Sequence, residues 1–168
     1  MSETAAARPN LAKYCTGFGI DMGFGGSAIV PTALTFDMPT GYCPSFEGHK
    51  QIFQGDCRNL SFVCNEVFDY MYSSHLLEDF TYVELKQILI EWRRVIKTGG
   101  FLVTNCPDQQ KFLAHCEKTG QPKNDAHKEQ DFSLANFKKV VYGVGDWEEI
   151  FVEPNAGAYS WHLVLKKI

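Results

Sequence analysis

Thr16-Gly17-Phe18-Gly19-Ile20-Asp21-Met22-Gly23-Phe24-Gly25-Gly26 is the stretch on which the fold turns. Thr16 to Ile20 reads as a short strand, although Gly17 and Gly19 weaken it. Asp21 to Gly26 reads as a glycine turn at its end. Without a Cβ, such a turn adopts positive φ and lets main-chain groups approach a ligand closely. Glycine pairs also serve ordinary turns, so the meaning of this one depends on the strands and carboxylates further along the chain.

Ala33-Leu34-Thr35-Phe36 makes a second short strand that ends at Asp37 and is broken by Pro39. Residues 38–50 hold Pro39, Gly41, Pro44 and Gly48 and read as loop. Lys50 to Gln54 is a third strand, ending at Gly55-Asp56, and Val67 to Tyr72 a fourth. Tyr82 to Lys97 is the clearest helix, with Val83, Ile88, Leu89, Trp92, Val95 and Ile96 on one stripe. Thr81 with Glu84 forms a capping box at its start, and Gly99-Gly100 stops it. Phe101 to Asn105 is a fifth strand, ended by Pro107. Residues 108–131 are polar and lysine-rich and read as loop, and Ser133 to Tyr142 as a further helix. Trp147 to Val152 and Ser160 to Lys166 flank Pro154-Asn155-Ala156-Gly157, a hairpin signal.

Strands and helices in this order predict an α/β fold: a mainly parallel, Rossmann-like sheet with a C-terminal antiparallel β-hairpin. The crossovers after strands 1 and 2 are short. Pro31 interrupts any helix after the glycine turn, and a parallel crossover normally takes a dozen residues or more. One flank of the sheet is therefore expected to be thin. The N-terminal segment, Tyr42 and Phe46, or a second subunit in a homodimer would cover it. The organisation expected is one domain over 1–168, with a flexible 1–13 and a variable insert over 107–132.

The chain of 168 residues carries a formal net charge of −4. A nucleic-acid binder normally shows a basic surplus, so nucleic acid is not the expected partner. No apolar run approaches the length of a membrane span. The start is polar and alanine-rich rather than a secretory leader. The six cysteines include no C-x-x-C pair and no zinc spacing, so no metal is expected. Reduced thiols in a cytoplasmic protein are the simplest expectation.

The carboxylates sit where parallel sheets bind ligands, at the carboxyl ends of the strands. Asp37 ends the second strand, where a carboxylate takes both hydroxyls of a ribose. Asp56 ends the third, where it accepts from an adenine amino group. Phe68-Asp69-Tyr70-Met71-Tyr72-Ser73-Ser74-His75-Leu76-Leu77-Glu78 runs along the fourth strand and off its tip. Together with Glu91-Trp92-Arg93-Arg94-Val95-Ile96-Lys97-Thr98-Gly99-Gly100-Phe101-Leu102, this run resembles the class I S-adenosylmethionine-dependent methyltransferases, type 11 group, over about Tyr14 to Asp108. The family's third glycine is replaced by Ser27, and Gly26 stands in with a shifted turn.

The resemblance implies S-adenosylmethionine as cofactor and a small-molecule methyl acceptor, such as a sugar or other metabolite. Gly23 and Gly25 would then pass beneath the methionine and ribose, and Asp21 would orient the turn and the ammonium. Asp37 would hold the ribose, and Asp56 with the backbone at Cys57 the adenine. Ser73 and Ser74 would line the methyl end. His75, with an ordinary pKa near neutrality, is the candidate general base. Asp108 and His127 are candidates for contact with the acceptor.

Two other functions share parts of this pattern. One is a non-catalytic accessory protein that keeps cofactor binding. The other is an NAD(P)-dependent oxidoreductase, since Gly23-x-Gly25-x-x-Ala28 matches a dinucleotide fingerprint. Against the latter, Asp37 comes early for the fingerprint's acidic partner.

Overall fold

In β4 (Phe68–Ser74) the side chains on both faces are apolar, as a strand buried on two sides requires. Tyr70 and Tyr72 point to one core and Met71 to the other. This strand lies at the middle of a seven-stranded sheet in a computed structural model that describes residues 2–39 and 51–168. The other strands are β1 (Gly19–Met22), β2 (Leu34–Asp37), β3 (Phe53–Gln54), β5 (Ile96–Pro107), β6 (Trp147–Ala156) and β7 (Ser160–Lys167). Their order is β3-β2-β1-β4-β5-β7-β6. The first five strands run parallel, β7 runs antiparallel to β5, and β6 runs antiparallel to β7 and so in the direction of the first five. The order reverses between β1 and β4, so the carboxyl ends of these two strands open a crevice. The α/β architecture is the expected one.

The strand boundaries move. β1 begins at Gly19, later than expected, and its first residue passes under a ring: a Cβ on Gly19 would overlap Tyr70. β5 starts at Ile96, directly after the helix, and carries Gly99-Gly100 inside the strand. The glycines therefore do not cap the helix.

That helix, α2 (Tyr82–Val95), starts at the predicted capping box. Thr81 Oγ1 accepts from the Glu84 amide, and Glu84 Oε2 accepts from the Thr81 amide at 3.0 Å. Its buried stripe is Leu85, Ile88, Leu89, Trp92 and Val95, whereas Val83 is exposed. Val83 sits in the first turn, on the far side from that stripe. Arg93 and Arg94 tie loops down. Arg94 donates to the carbonyls of Leu60 and Val63, and Arg93 to that of Ile168. Thr81→Ala removes the cap, and unfolding in urea should then show a loss of about 1 kcal/mol. An unchanged midpoint would mean that packing alone sets the start of the helix.

Two segments depart from expectation. Residues 3–11, expected without regular structure, form α1 (Glu3–Leu11), capped by Ser2, whose Oγ accepts from the Ala5 amide at 3.1 Å. A helix this short, with Pro9 inside it, has little stability of its own. It is held by contact with the rest of the chain. Thr4, Ala7 and Leu11 are buried, the last two against Tyr70, Tyr72, Val103 and Val164. The Arg8 guanidinium donates to the Ala28 carbonyl at 2.7 Å and to Ser27 Oγ at 3.0 Å. Within the polar stretch 108–131 lies α3 (Gln109–Thr119), capped by Asp108 and stopped by Gly120 at φ 73°. The helix predicted after Ser133 is α4 (Leu134–Tyr142).

Among the described residues no helix joins β1 to β2. The N-terminal segment supplies cover as α1, on the face of Tyr70 and Tyr72. Tyr42 and Phe46 lie outside the described residues.

Candidate functional site

The site is built on the turn that leaves β1. Gly23 stands at φ 70°, and a Cβ there would come within 2.8 Å of the Leu76 side chain. Only glycine fits that close approach without strain. The Gly23 amide donates to the Phe36 carbonyl at 2.9 Å, which ties the turn to β2. The Gly25 amide, at φ 56°, donates to Asp37 Oδ2 at 2.9 Å, and the Met38 amide donates to Oδ1 at 2.7 Å. The carboxylate at the end of β2 is thus oriented by two backbone amides and faces the crevice.

Asp21 lies underneath. It is buried, and its Oδ2 accepts from the Ile29 amide at 2.8 Å. Burial pushes its carboxyl well above the usual range, and the nearby Asp37 adds to this. Asp21 braces the β1–β2 connection from below.

Two adjoining cavities line the carboxyl edge of the sheet, with volumes of about 340 and 830 Å³. They share Gly23, Asp37, Met38, Leu76 and Asp79, and so form one trough. Its first end is walled by Phe36, Asp56, Cys57 and Arg58. Arg58 grips both oxygens of Asp56 at 2.7 to 3.0 Å, which holds that carboxyl below its ordinary range. Any ligand amino group must therefore share Asp56 with this guanidinium. The Cys57 carbonyl points into the core, where it accepts from Trp92 Nε1 at 2.9 Å. Burial pushes the Cys57 thiol up to about 12, so it stays protonated.

The other end holds Ser74 and His75, with Ser2, Glu3 and Thr4 of the N-terminal segment as the opposite wall. Ser73 is fully buried, and its hydroxyl has no partner among the described residues. Ser74 Oγ accepts from Asn105 Nδ2 at 2.9 Å. His75 has φ 52°, a left-handed conformation rare outside glycine and often found at functional sites. Its Nε2 lies 3.1 Å from Ser160 Oγ and 3.5 Å from Glu3 Oε2, and its Nδ1 lies 3.5 Å from Glu78 Oε1. Burial pulls the imidazole down to about 4, so it is neutral at physiological pH.

Of the two residues read as acceptor contacts, Asp108 caps α3, accepting from the Lys111 amide at 3.1 Å. His127 is buried, with Nδ1 2.6 Å from Gln109 Oε1 and its ring against Phe112. Its Nε2 lies 3.9 Å from Glu78 Oε1. Neither is among the residues that line the trough. Asn124, Ala126 and Lys128 of the same segment do line it. Sequence reasoning missed Glu3, Arg58 and Asp79. The first was hidden in a segment read as flexible, and the other two carry no local signal.

Glu78 is buried between these imidazoles and beside Cys106, and its Oε2 has no partner among the described residues. Burial holds its carboxyl protonated well above the ordinary range, and the neighbouring Asp79 and Glu3 reinforce this. In the unfolded chain it ionises in the usual range. Its contribution to stability is full below that range and is lost as pH rises through the raised folded value. Glu78→Gln removes this dependence. The thermal midpoint of the variant should therefore gain on the wild type as pH rises above the ordinary carboxylate range. A difference that stays constant with pH would place Glu78 in the ordinary range.

Residues 20–104, half of the chain, match the methyltransferase-domain family. No curated protein matches the sequence. Among solved structures, an S-adenosylmethionine-dependent methyltransferase of Archaeoglobus fulgidus superposes with a TM-score of 0.78 at 14% identity, covering 99% of this chain and 95% of that one. A Pyrococcus horikoshii protein gives 0.75 at 18% identity, with 98% and 89% covered. A Listeria monocytogenes protein described as a methyltransferase gives 0.68 at 9% identity, with 98% and 99% covered. At such identities the likeness is one of fold.

Proposed function

The chain belongs to the methyltransferase-domain family, with S-adenosylmethionine as its cofactor, and from that premise we propose that it methylates a small molecule, a sugar or other metabolite, bound beside His75. The observation that carries this reading is Asp37. Its carboxylate is presented at the switch point of the sheet, next to a glycine turn that leaves room for a ligand. The trough fits a nucleoside with an amino-acid tail: an apolar slot beside Phe36 and Cys57, a carboxylate at mid-length, and an open backbone turn beyond it.

When bound, the cofactor supplies an activated sulfonium methyl group and a neutral thioether leaving group. The residues of this chain have simpler tasks. Asp37 accepts from the two ribose hydroxyls. Asp56, still paired to Arg58, accepts from the adenine amino group, with the main chain at Cys57 alongside it. Gly23 and Gly25 pass under the ribose and the methionine, while Asp21 keeps the turn rigid. Ser74 borders the methyl end, while Ser73, fully buried on the opposite face of β4, supports the strand from behind. α1 closes the trough beside Ser74 and excludes water, which favours alignment of the reacting atoms. For a hydroxyl acceptor, neutral His75 takes the proton at Nε2.

Calorimetric titration with S-adenosylmethionine, S-adenosylhomocysteine and NAD tests the reading. Both adenosyl compounds should bind and NAD should not. With an acceptor in hand, His75→Ala should lower turnover about 10²- to 10⁴-fold at unchanged cofactor affinity. Binding of NAD alone would replace this reading with the oxidoreductase.

A further inference from the structure

After β4 the chain leaves the sheet through His75 and makes a single 3₁₀ turn, Leu77–Asp79, before the Thr81 cap of α2. Leu77 and Glu78 are buried in this turn, while Asp79 lines both cavities of the trough. It shares that place with Gly23, Asp37, Met38 and Leu76. Two carboxylates, Asp37 and Asp79, therefore stand at the junction of the cavities, and the ribose hydroxyls need only one of them.

The two are held differently. Both oxygens of Asp37 accept from backbone amides. The side chain of Asp79 makes no hydrogen bond and no ion pair among the described residues. Its Oδ1 is enclosed and does not reach a ligand, so Oδ2 is the oxygen on the side of the trough. Burial raises this carboxyl to about 6, and the opposing field of Lys128 does not offset that. Asp79 is thus ionised at pH 7 but poorly solvated, and such a group gains from a positive charge brought beside it.

The rest of the trough has the same sign. Among the described residues, five carboxylates line it against two cations, Arg58 and Lys128. Arg58 is already engaged by Asp56 at 2.7 Å and Glu84 at 3.4 Å. Walls of this kind favour a ligand with positive charge at mid-trough over a neutral ligand of nearly the same shape. S-adenosylmethionine and S-adenosylhomocysteine form such a pair. They differ by one methyl group and by the charge of the sulfonium.

We propose that Asp79 is a specificity-determining residue that recognises the sulfonium charge, so that the trough binds S-adenosylmethionine more tightly than S-adenosylhomocysteine. The proposal rests on the methyltransferase reading and adds to it a means of telling the cofactor from its spent form. The sulfur is attached one carbon from the sugar ring, so a ribose held by Asp37 brings it to the junction that Asp79 lines. Once the methyl group has passed to the lone pair of an acceptor, the electrons of the S–C bond remain on sulfur and its charge is gone. Asp79 then faces a neutral thioether, and the attraction that held the cofactor no longer holds the product.

Calorimetric titration of the full chain at pH 7 with each compound, in the absence of any acceptor, tests this. In the wild type, S-adenosylmethionine should bind with a dissociation constant about tenfold or more below that of S-adenosylhomocysteine. Asp79→Asn and Asp79→Ala, each shown to unfold cooperatively, should bring the two constants within about threefold of each other. The change should fall on S-adenosylmethionine, with S-adenosylhomocysteine bound as in the wild type. Equal affinities in the wild type would overturn the proposal, and that comparison needs no variant. So would a preference that survives in both variants, which would leave Asp79 to contacts with the acceptor. Loss of S-adenosylhomocysteine from both folded variants would also overturn it, since Asp79 would then hold the adenosyl group rather than the charge. Failure of both compounds to bind the wild type would instead overturn the underlying reading.

Discussion

Asp37→Ala is expected to abolish stabilisation by S-adenosylhomocysteine. In the wild type, ligand at 100 times its dissociation constant adds about 2.7 kcal/mol, which raises the midpoint of a domain this size by about 5–10 °C. Hydrogen bonds to a charged group contribute about 1.5–3 kcal/mol each, so losing two weakens binding by about 100-fold or more. At the same ligand concentration only about 0.4 kcal/mol then remains. The substitution also frees the Gly25 and Met38 amides, so the midpoint without ligand falls as well. The quantity to compare is therefore the ligand-induced shift. Asp37→Asn keeps an oxygen for one of the two amides, sets its NH2 against the other, and removes the charge. It should recover part of the baseline and little of the shift. A full shift in Asp37→Ala would remove Asp37 from the site.

Trp92→Ala should show the largest loss of stability. The ring is fully buried on α2, in the core beneath β4 and β5, and its Nε1 donates to the Cys57 carbonyl at 2.9 Å. Truncating a buried Trp costs about 3–5 kcal/mol through lost burial and the cavity left behind. The orphaned carbonyl adds about 1 kcal/mol or more. Urea denaturation followed by circular dichroism measures the sum. Trp92→Phe fills part of the space but leaves the carbonyl unpaired, so it should fall between wild type and Trp92→Ala. Because Cys57 walls the trough, saturating S-adenosylhomocysteine should recover part of the loss in either variant. A loss below about 2 kcal/mol in Trp92→Ala would mean that the helix repacks over the gap.

The N-terminal segment with α1 walls one end of the trough. Glu3 reaches the β6–β7 turn through Tyr159 and reaches His75 directly. Burial of Ala7 and Leu11 and the bonds of Arg8 to Ala28 and Ser27 hold α1 in that position.

Some features were legible because their cause is local. The capping box needs only Thr81 and Glu84, three residues apart. The glycine turn needs positive φ at Gly23, and the strand ends follow from runs of apolar residues halted at Asp37 and at Gly55-Asp56. The Pro154 to Gly157 signal, between two apolar runs, announced the hairpin, although Pro154 to Ala156 finish β6 and the turn itself begins at Gly157. These signals together predicted the class of the sheet and the edge that carries the ligand.

Other features came only with the tertiary structure, because their partners lie far apart in the chain. Alanine-rich residues 3–11, with a proline, have no strong local reason to be helical; burial against Tyr70 and Tyr72 and the grip of Arg8 on Ala28 supply one. Nothing near His75 foretells that Glu3, Glu78 and Ser160 surround its ring, or that burial lowers its pKa to about 4. Asn105 and His162 read as ordinary strand residues until β5 and β7 pair them beneath α1. Periodicity and turn chemistry act over a few residues, and from them the succession of strands, α2, α4 and the cofactor edge could be read, but not α1 or α3. The tertiary structure decided which polar groups meet and which are left without a partner, since desolvation and hydrogen bonding depend on everything packed around them.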